Sequence, residues 1–118
     1  MKGGDFLMPT TKIAELIVTA ERLSPERSPG QAIEVNQQIL QLDPINAAAQ
    51  VRLAGGYQAQ RKFAEAKAAC QEALRLNPGS TVAKNRMQRI AEEWALATQA
   101  QSVSTFEDAF RRGVERRG

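Results

Sequence analysis

The chain has 118 residues, of which 42% are hydrophobic, 25% charged and only 5% aromatic, and this composition fits one globular domain that favours helices. A single cysteine excludes an intrachain disulfide, and the absence of histidine removes a common zinc ligand and the commonest general base. We therefore expect no metal, no cofactor and no catalytic residue. A formal charge of +3 permits contact with nucleic acid without indicating it.

The N-terminal segment carries no targeting signal that we recognise. It lacks an apolar signal core, and no run of about 18 apolar residues occurs anywhere in the chain. We therefore expect a cytoplasmic protein without membrane contact. Because Met8 followed by Pro9 could be a second translation start, we predict a disordered extension over residues 1–9 and a helical repeat domain over residues 10–101.

The first predicted helical pair covers about residues 13–44. Its two helices are separated by Ser24–Pro29, a longer connection than the usual short turn between paired helices. Ser28 directly precedes a proline, which is the pattern of an N-cap followed by the first helical residue. The second helix of the pair is therefore predicted to begin at this serine.

The second predicted pair covers about residues 47–80 and begins after Asn46, another N-cap residue. Gly55 and Gly56 lie inside its first helix, where each glycine costs about 1 kcal/mol relative to alanine. Close packing by a neighbouring helix or by a ligand would offset that cost. Helix packing is the interpretation that we prefer.

A third helix is predicted after Ser80, with an apolar stripe that includes Trp94 and that caps the stack. Ser104 is then predicted to open a short, amphipathic and basic helix over residues 102–118. The apolar positions of these two helices are Met87, Ile90, Ala91 and Trp94 in the first, and Phe106, Ala109, Phe110 and Val114 in the second.

The two pairs are related by an internal repeat of 34 residues. The segment Leu40–Pro44 recurs at this spacing as Leu74–Pro78, with leucine at its first and third positions and proline at its fifth. The same shift superposes small residues, placing Ala32 on Ala66, Ala20 on Ala54 and Ala14 on Ala48.

The second unit resembles the tetratricopeptide repeat, although Gln50, Ala54 and Cys70 depart from the residues that this family favours. The positions that carry the resemblance are Leu53, Ala54, Tyr57, Phe63, Ala66, Ala73, Leu74, Leu76 and Pro78. The resemblance implies an all-α fold, a right-handed stack of antiparallel helix pairs with about 2.5 repeats and a C-terminal capping helix. It also implies a non-enzymatic adaptor or scaffold that binds another protein.

In this family the first helix of each pair lines a concave groove that holds a peptide or helix of a partner. The matching positions at which we expect contact are Arg52, Gly55, Gln58, Asn85, Arg86 and Arg89. Guanidinium groups bind carboxylates in a bidentate manner, so these arginines suggest an acidic or C-terminal peptide. The competing interpretation is an ordinary solvated surface.

Other functions stay open at this stage. A nucleic-acid-associated accessory protein could contact phosphates through Lys84, Arg86, Arg89 and the arginines of residues 111–117. Alternatively, the apolar stripe of residues 106–114 could dock into the groove or onto another subunit, which would make the protein a homo-oligomer. A third alternative is that the chain is part of a longer protein.

Overall fold

The computed structural model describes the backbone of residues 2–117 and the side chains of residues 11–100. Every element that it describes is an α-helix, and these are α1 (Lys2–Arg22), α2 (Pro29–Leu42), α3 (Ala47–Ala59), α4 (Phe63–Leu76) and α5 (Thr81–Arg117). Each helix packs against the next one along the chain, and α5 also contacts α3. This confirms the predicted all-α helical repeat. The right-handed twist and the number of repeats stay predictions.

Polar residues start the helices in the middle of the chain. The Asn46 side chain accepts a hydrogen bond from the backbone N–H of Ala49 at 2.9 Å, and the Ser80 hydroxyl accepts one from Ala83 at 3.2 Å. Ser28 occupies the predicted N-cap position of α2, but its side chain makes no capping hydrogen bond.

The turn between α3 and α4 is tightened by Arg61, which adopts a left-handed backbone with φ of 61°. The backbone N–H of Lys62 donates to the carbonyl of Tyr57 at 2.8 Å, and that of Arg61 donates to Gln58 at 2.9 Å. This is the hydrogen-bond pattern of a Schellman motif, in which glycine usually holds the left-handed position. Arginine accepts that conformation at the cost of backbone strain.

The core consists of two main clusters that follow the helix pairs. The first contains Leu16, Ala20, Ile39 and Ala49, and the second contains Leu53, Ala54, Phe63, Ala66, Ala69, Cys70 and Ile90. The Cys70 side chain is fully buried, and burial raises the pKa of its thiol while the charge of Arg86 opposes that shift. Cys70 is therefore a small apolar core residue.

Helices α1 and α5 extend across the boundaries that we predicted at residues 10 and 102. In particular, α5 runs on through Ser104, where a separate helix was expected to begin, because no glycine or proline interrupts the chain between Thr81 and Gly113. The division into an extension, a repeat domain and a basic C-terminal helix stays a prediction. The side chains of residues 1–10 and 101–118 lie outside the described part.

Gly56 lies where α3 packs closely against α2. A Cβ atom at this position would lie 2.7 Å from Cγ1 of Ile33 and 3.2 Å from the backbone carbonyl oxygen of Pro29, so a neighbour would have to move. We expect Gly56→Ala to lower the free energy of unfolding by about 1–2 kcal/mol, because overpacking outweighs the gain in helix propensity. Urea denaturation followed by circular dichroism measures this change.

Gly30 is the matched control, since a Cβ atom there would meet no neighbour within 4 Å. Gly30→Ala in the first turn of α2 is expected to raise the free energy of unfolding by about 0.5 kcal/mol. Equal effects of the two substitutions would show that α2 and α3 do not approach closely at Gly56.

Candidate functional site

Two cavities lie on the face to which α1, α3 and α5 contribute. The first, which we call the valine cavity, has a volume of about 490 Å³, and the second, the arginine cavity, has a volume of about 480 Å³. The lining of the valine cavity includes Leu23, Pro25, Ala48, Val51, Arg52, Val82 and Arg86. The arginine cavity is lined by Glu26, Gly55, Gln58, Ala59, Arg61, Arg86, Arg89 and Glu93.

Arg86 lines both cavities and lies across α3 at Gly55. Its Nη1 donates a hydrogen bond to Oε1 of Gln58 at 3.0 Å. A Cβ atom on Gly55 would lie 3.0 Å from that same Nη1 and 3.1 Å from Cβ of Pro25. The glycine therefore leaves room for the arginine side chain and for the connection between α1 and α2.

The Nε–H of Arg86 is buried and has no hydrogen-bond acceptor among the residues whose side chains the structure describes. A buried donor without a partner costs about 1–3 kcal/mol. The Arg86 guanidinium group therefore has one donor without an acceptor, Nε–H, and another that is hydrogen-bonded to Gln58, Nη1–H.

Arg52 points its Nε toward α2, where it donates to Oδ1 of Asn36 at 3.0 Å. Burial lowers the pKa of Arg52, and the charge of Glu21 opposes that shift. Asn36 is fully buried, and its Nδ2 donates to the carbonyl oxygen of Ala32 at 2.7 Å. The Arg52 side chain is therefore held by the fold, although it also lines the valine cavity.

The family assignment follows from this arrangement of helices and from the sequence. The model of the tetratricopeptide repeat matches residues 26–90, which is more than half of the chain and covers α2, α3, α4 and the beginning of α5. The chain belongs to the tetratricopeptide repeat family. Repeats of this family generally mediate protein–protein interaction and are typically non-enzymatic. A comparison with curated proteins found no match.

In this tetratricopeptide repeat chain, four of the six predicted contact residues come together and two lie apart. Gly55, Gln58, Arg86 and Arg89 line the arginine cavity, whereas Arg52 lines the valine cavity. Asn85 is exposed and lines neither of the two cavities. Asn85 is therefore not part of the site that Arg86 lines, although the two residues are adjacent in sequence.

Sequence reasoning missed Glu26, which faces the arginines from the connection before α2. A hydrogen bond from its own backbone N–H lowers the pKa of the Glu26 carboxyl, and the Ser24 hydroxyl, which donates to Oε1 at 3.1 Å, and the charges of Arg86 and Arg89 act in the same direction. Burial of the carboxyl opposes these effects. The length of the connection between α1 and α2 could be predicted from the sequence. Its path, which places Glu26 beside the arginines, could not.

The part of the chain that the structure describes supports neither a metal site nor a membrane-spanning helix. No group of three or more His, Cys, Asp or Glu side chains lies together there in a way that could hold a metal ion. Among the same residues, no helix combines the length and the apolar character needed to cross a membrane.

Proposed function

We propose that this tetratricopeptide repeat protein is a non-enzymatic adaptor that binds a peptide or helix of another protein on the face shared by α1, α3 and α5. The observation that carries the proposal is the position of Arg86, which lines both cavities, together with Arg89, which lines the arginine cavity. A carboxylate of the bound segment would pair with these guanidinium groups. A cytoplasmic location remains part of the proposal.

The two cavities favour a ligand with two chemically different parts. Val51, Val82 and Leu23 offer an apolar surface in the valine cavity, and Val82 is 61% exposed. The arginine cavity offers the guanidinium groups of Arg86 and Arg89. We therefore propose a bound segment that places an aliphatic side chain beside Val82 and an acidic group beside the arginines.

A protein ligand explains the charges of the site better than nucleic acid does. Glu26 and Glu93 line the arginine cavity together with the arginines, and their carboxylates weaken the positive field that attracts a phosphate backbone. A single carboxylate needs only local donors and tolerates such neighbours. The nucleic-acid alternative consequently has weaker support on this face.

Affinity capture from nuclease-treated lysate tests the proposal with the Arg89→Glu variant. Arg89 is exposed, so that charge reversal should leave the fold intact while placing a carboxylate where the acidic group of the ligand binds. We expect the wild-type chain to retain a protein that the variant loses, and the purified pair to bind at least about tenfold more weakly after the substitution.

Arg75→Glu is the matched control. Arg75 is an exposed residue of α4 that lines neither the valine cavity nor the arginine cavity, and among the side chains that the structure describes it pairs with Glu72 on the same helix. Both substitutions change the net charge equally, so a protein lost with both variants would indicate a general charge effect and contradict the proposed site. Recovery of nucleic acid alone, when nuclease is omitted, would favour the accessory-protein alternative.

A further inference from the structure

The valine cavity contains charged side chains beside its aliphatic residues. Its charged lining residues are Glu21, Arg52 and Arg86. Both arginines are half-buried, whereas Glu21 is exposed to solvent. The cavity therefore has two cationic groups and one carboxylate in its wall, and the cationic groups are the less hydrated ones.

A neutral amide group on another helix holds each of the two arginines. Nε of Arg52 donates to Oδ1 of Asn36 on α2 at 3.0 Å, and Nη1 of Arg86 donates to Oε1 of Gln58 on α3 at 3.0 Å. Among the side chains that the structure describes, neither guanidinium group forms an ion pair. Because an amide oxygen carries no formal charge, these contacts orient the two cations without neutralising them.

An anion in the cavity would compensate the burial of these cations. Burial lowers the pKa of Arg52, which means that it disfavours the charged guanidinium, and the charge of Glu21 opposes that shift only in part. Within the described part of the chain, Arg52 donates from Nε alone. Its two Nη groups are therefore free to donate to both oxygens of one carboxylate.

We propose that the valine cavity binds a branched aliphatic group whose carboxylate lies in the same cavity and pairs with Arg52 and Arg86. The inference rests on the proposed function, because it names the chemistry of the ligand segment that fills this cavity. One added carboxylate would balance the two arginines together with Glu21. Asn36 and Gln58 are positioning residues in this cavity, since each acts through the arginine that it holds.

Two sources of the carboxylate fit this chemistry. One is the C-terminus of a chain that ends in an aliphatic residue, and the other is an acidic side chain next to an aliphatic one. N-acetyl-leucine is the probe for the first source, and N-acetyl-leucyl-aspartic acid α-amide is the probe for the second. N-acetyl-leucinamide, which has the same aliphatic group and no carboxylate, is the uncharged control.

Titration of the full chain with each probe, followed by proton–nitrogen and methyl NMR, tests the proposal. At least one of the two acids should shift the Nε–H signals of Arg52 and Arg86 and the methyl signals of Val82 in a saturable manner. The amide should bind at least about tenfold more weakly than that acid, because it cannot pair with the guanidinium groups. The acid that binds more tightly identifies the source of the carboxylate.

Arg52→Met removes one of the two cations and keeps the apolar part of the side chain. We expect this variant to bind the acid at least about tenfold more weakly and the amide with unchanged affinity. Arg75→Met is the matched control, because Arg75 is exposed on α4 and does not line the valine cavity. It removes the same charge and should leave both affinities unchanged.

Gln58→Glu is a second variant that keeps the shape of the side chain. Its carboxylate would still accept the hydrogen bond from Arg86 but would neutralise that guanidinium group, so acid binding should weaken while amide binding stays the same. If Gln58 only supported the fold, acid binding would not change.

Four results would each overturn the proposal: no saturable shift with any probe, equal affinities for acid and amide, acid binding that Arg52→Met or Gln58→Glu leaves unchanged, and equal weakening by Arg75→Met. If the lysate experiment with Arg89→Glu still identified a protein ligand, the adaptor function would stand and only this inference would fail. Acid binding in the valine cavity without any captured protein would instead remove the adaptor function and keep the assigned chemistry of the cavity.

Discussion

Phe63→Ala is expected to lower the free energy of unfolding by about 3–5 kcal/mol, the range for truncation of a buried aromatic side chain. Phe63 is the first residue of α4 and is 7% exposed. It belongs to the core cluster that also contains Leu53 of α3 and Ile90 of α5, and its ring stacks on Trp94. One side chain thus joins three helices, and its removal leaves a cavity between them.

Urea denaturation followed both by circular dichroism and by tryptophan fluorescence measures the effect of Phe63→Ala. Phe63→Leu is the control, because leucine keeps most of the apolar volume and should cost only about 1–1.5 kcal/mol. The Arg61 guanidinium, 5.3 Å above the Phe63 ring, would lose its cation–π contact in both variants. Equal stabilities of the two variants would mean that α3, α4 and α5 do not meet at this residue.

Asn36→Ala is expected to lower the free energy of unfolding by about 2–3 kcal/mol. Asn36 is fully buried within α2, where its side chain donates to Ala32 and accepts from Arg52. Alanine would leave the half-buried guanidinium of Arg52 without its acceptor and would also leave a cavity. Because alanine favours a helix more than asparagine does, the loss of stability would come from tertiary contacts and not from helix propensity.

A double-mutant cycle with Arg52→Met separates the hydrogen bond from the effect of volume. We expect the pair to show a coupling free energy of about 1–2 kcal/mol. Gln37→Ala is the control on the adjacent residue, because Gln37 is exposed and only donates to the hydroxyl of Tyr57. That substitution should change stability by less than about 0.5 kcal/mol. A coupling near zero would contradict the contact between α2 and α3.

The helices that pack in the middle of the chain could be predicted from sequence because their signals are local. The repeat of 34 residues located the second pair, and the caps at Asn46 and Ser80 fixed where two helices begin. The same reasoning assigned Gly56 to close helix packing, and the approach of Ile33 agrees with it. Asn46 and Ser80 cap their helices through residues three positions away, and the contact at Gly56 joins two helices that follow each other in the chain.

The parts that sequence could not predict depend on which side chains meet where two helices pack. The partners of Asn36 and Arg86 are examples, because the hydrogen bond of a side chain depends on how neighbouring helices are rotated. Tyr57 is one of the residues that carry the family resemblance, and the sequence did not show that its half-buried side chain accepts a hydrogen bond from Gln37. Ser104 has the sequence of a cap, but nothing nearby ends the helix that contains it.

The connection between α1 and α2 borders both cavities, with Pro25 lining the valine cavity and Glu26 lining the arginine cavity. Pro25 also lies against the position of Gly55. A bound segment that filled both cavities would have to pass Arg86, which lines both of them. A ligand would then bind through two anchors, one aliphatic and one acidic, joined by a linker of a minimum length. A shorter linker would prevent one anchor from binding, whereas a longer linker would lower the affinity only slightly.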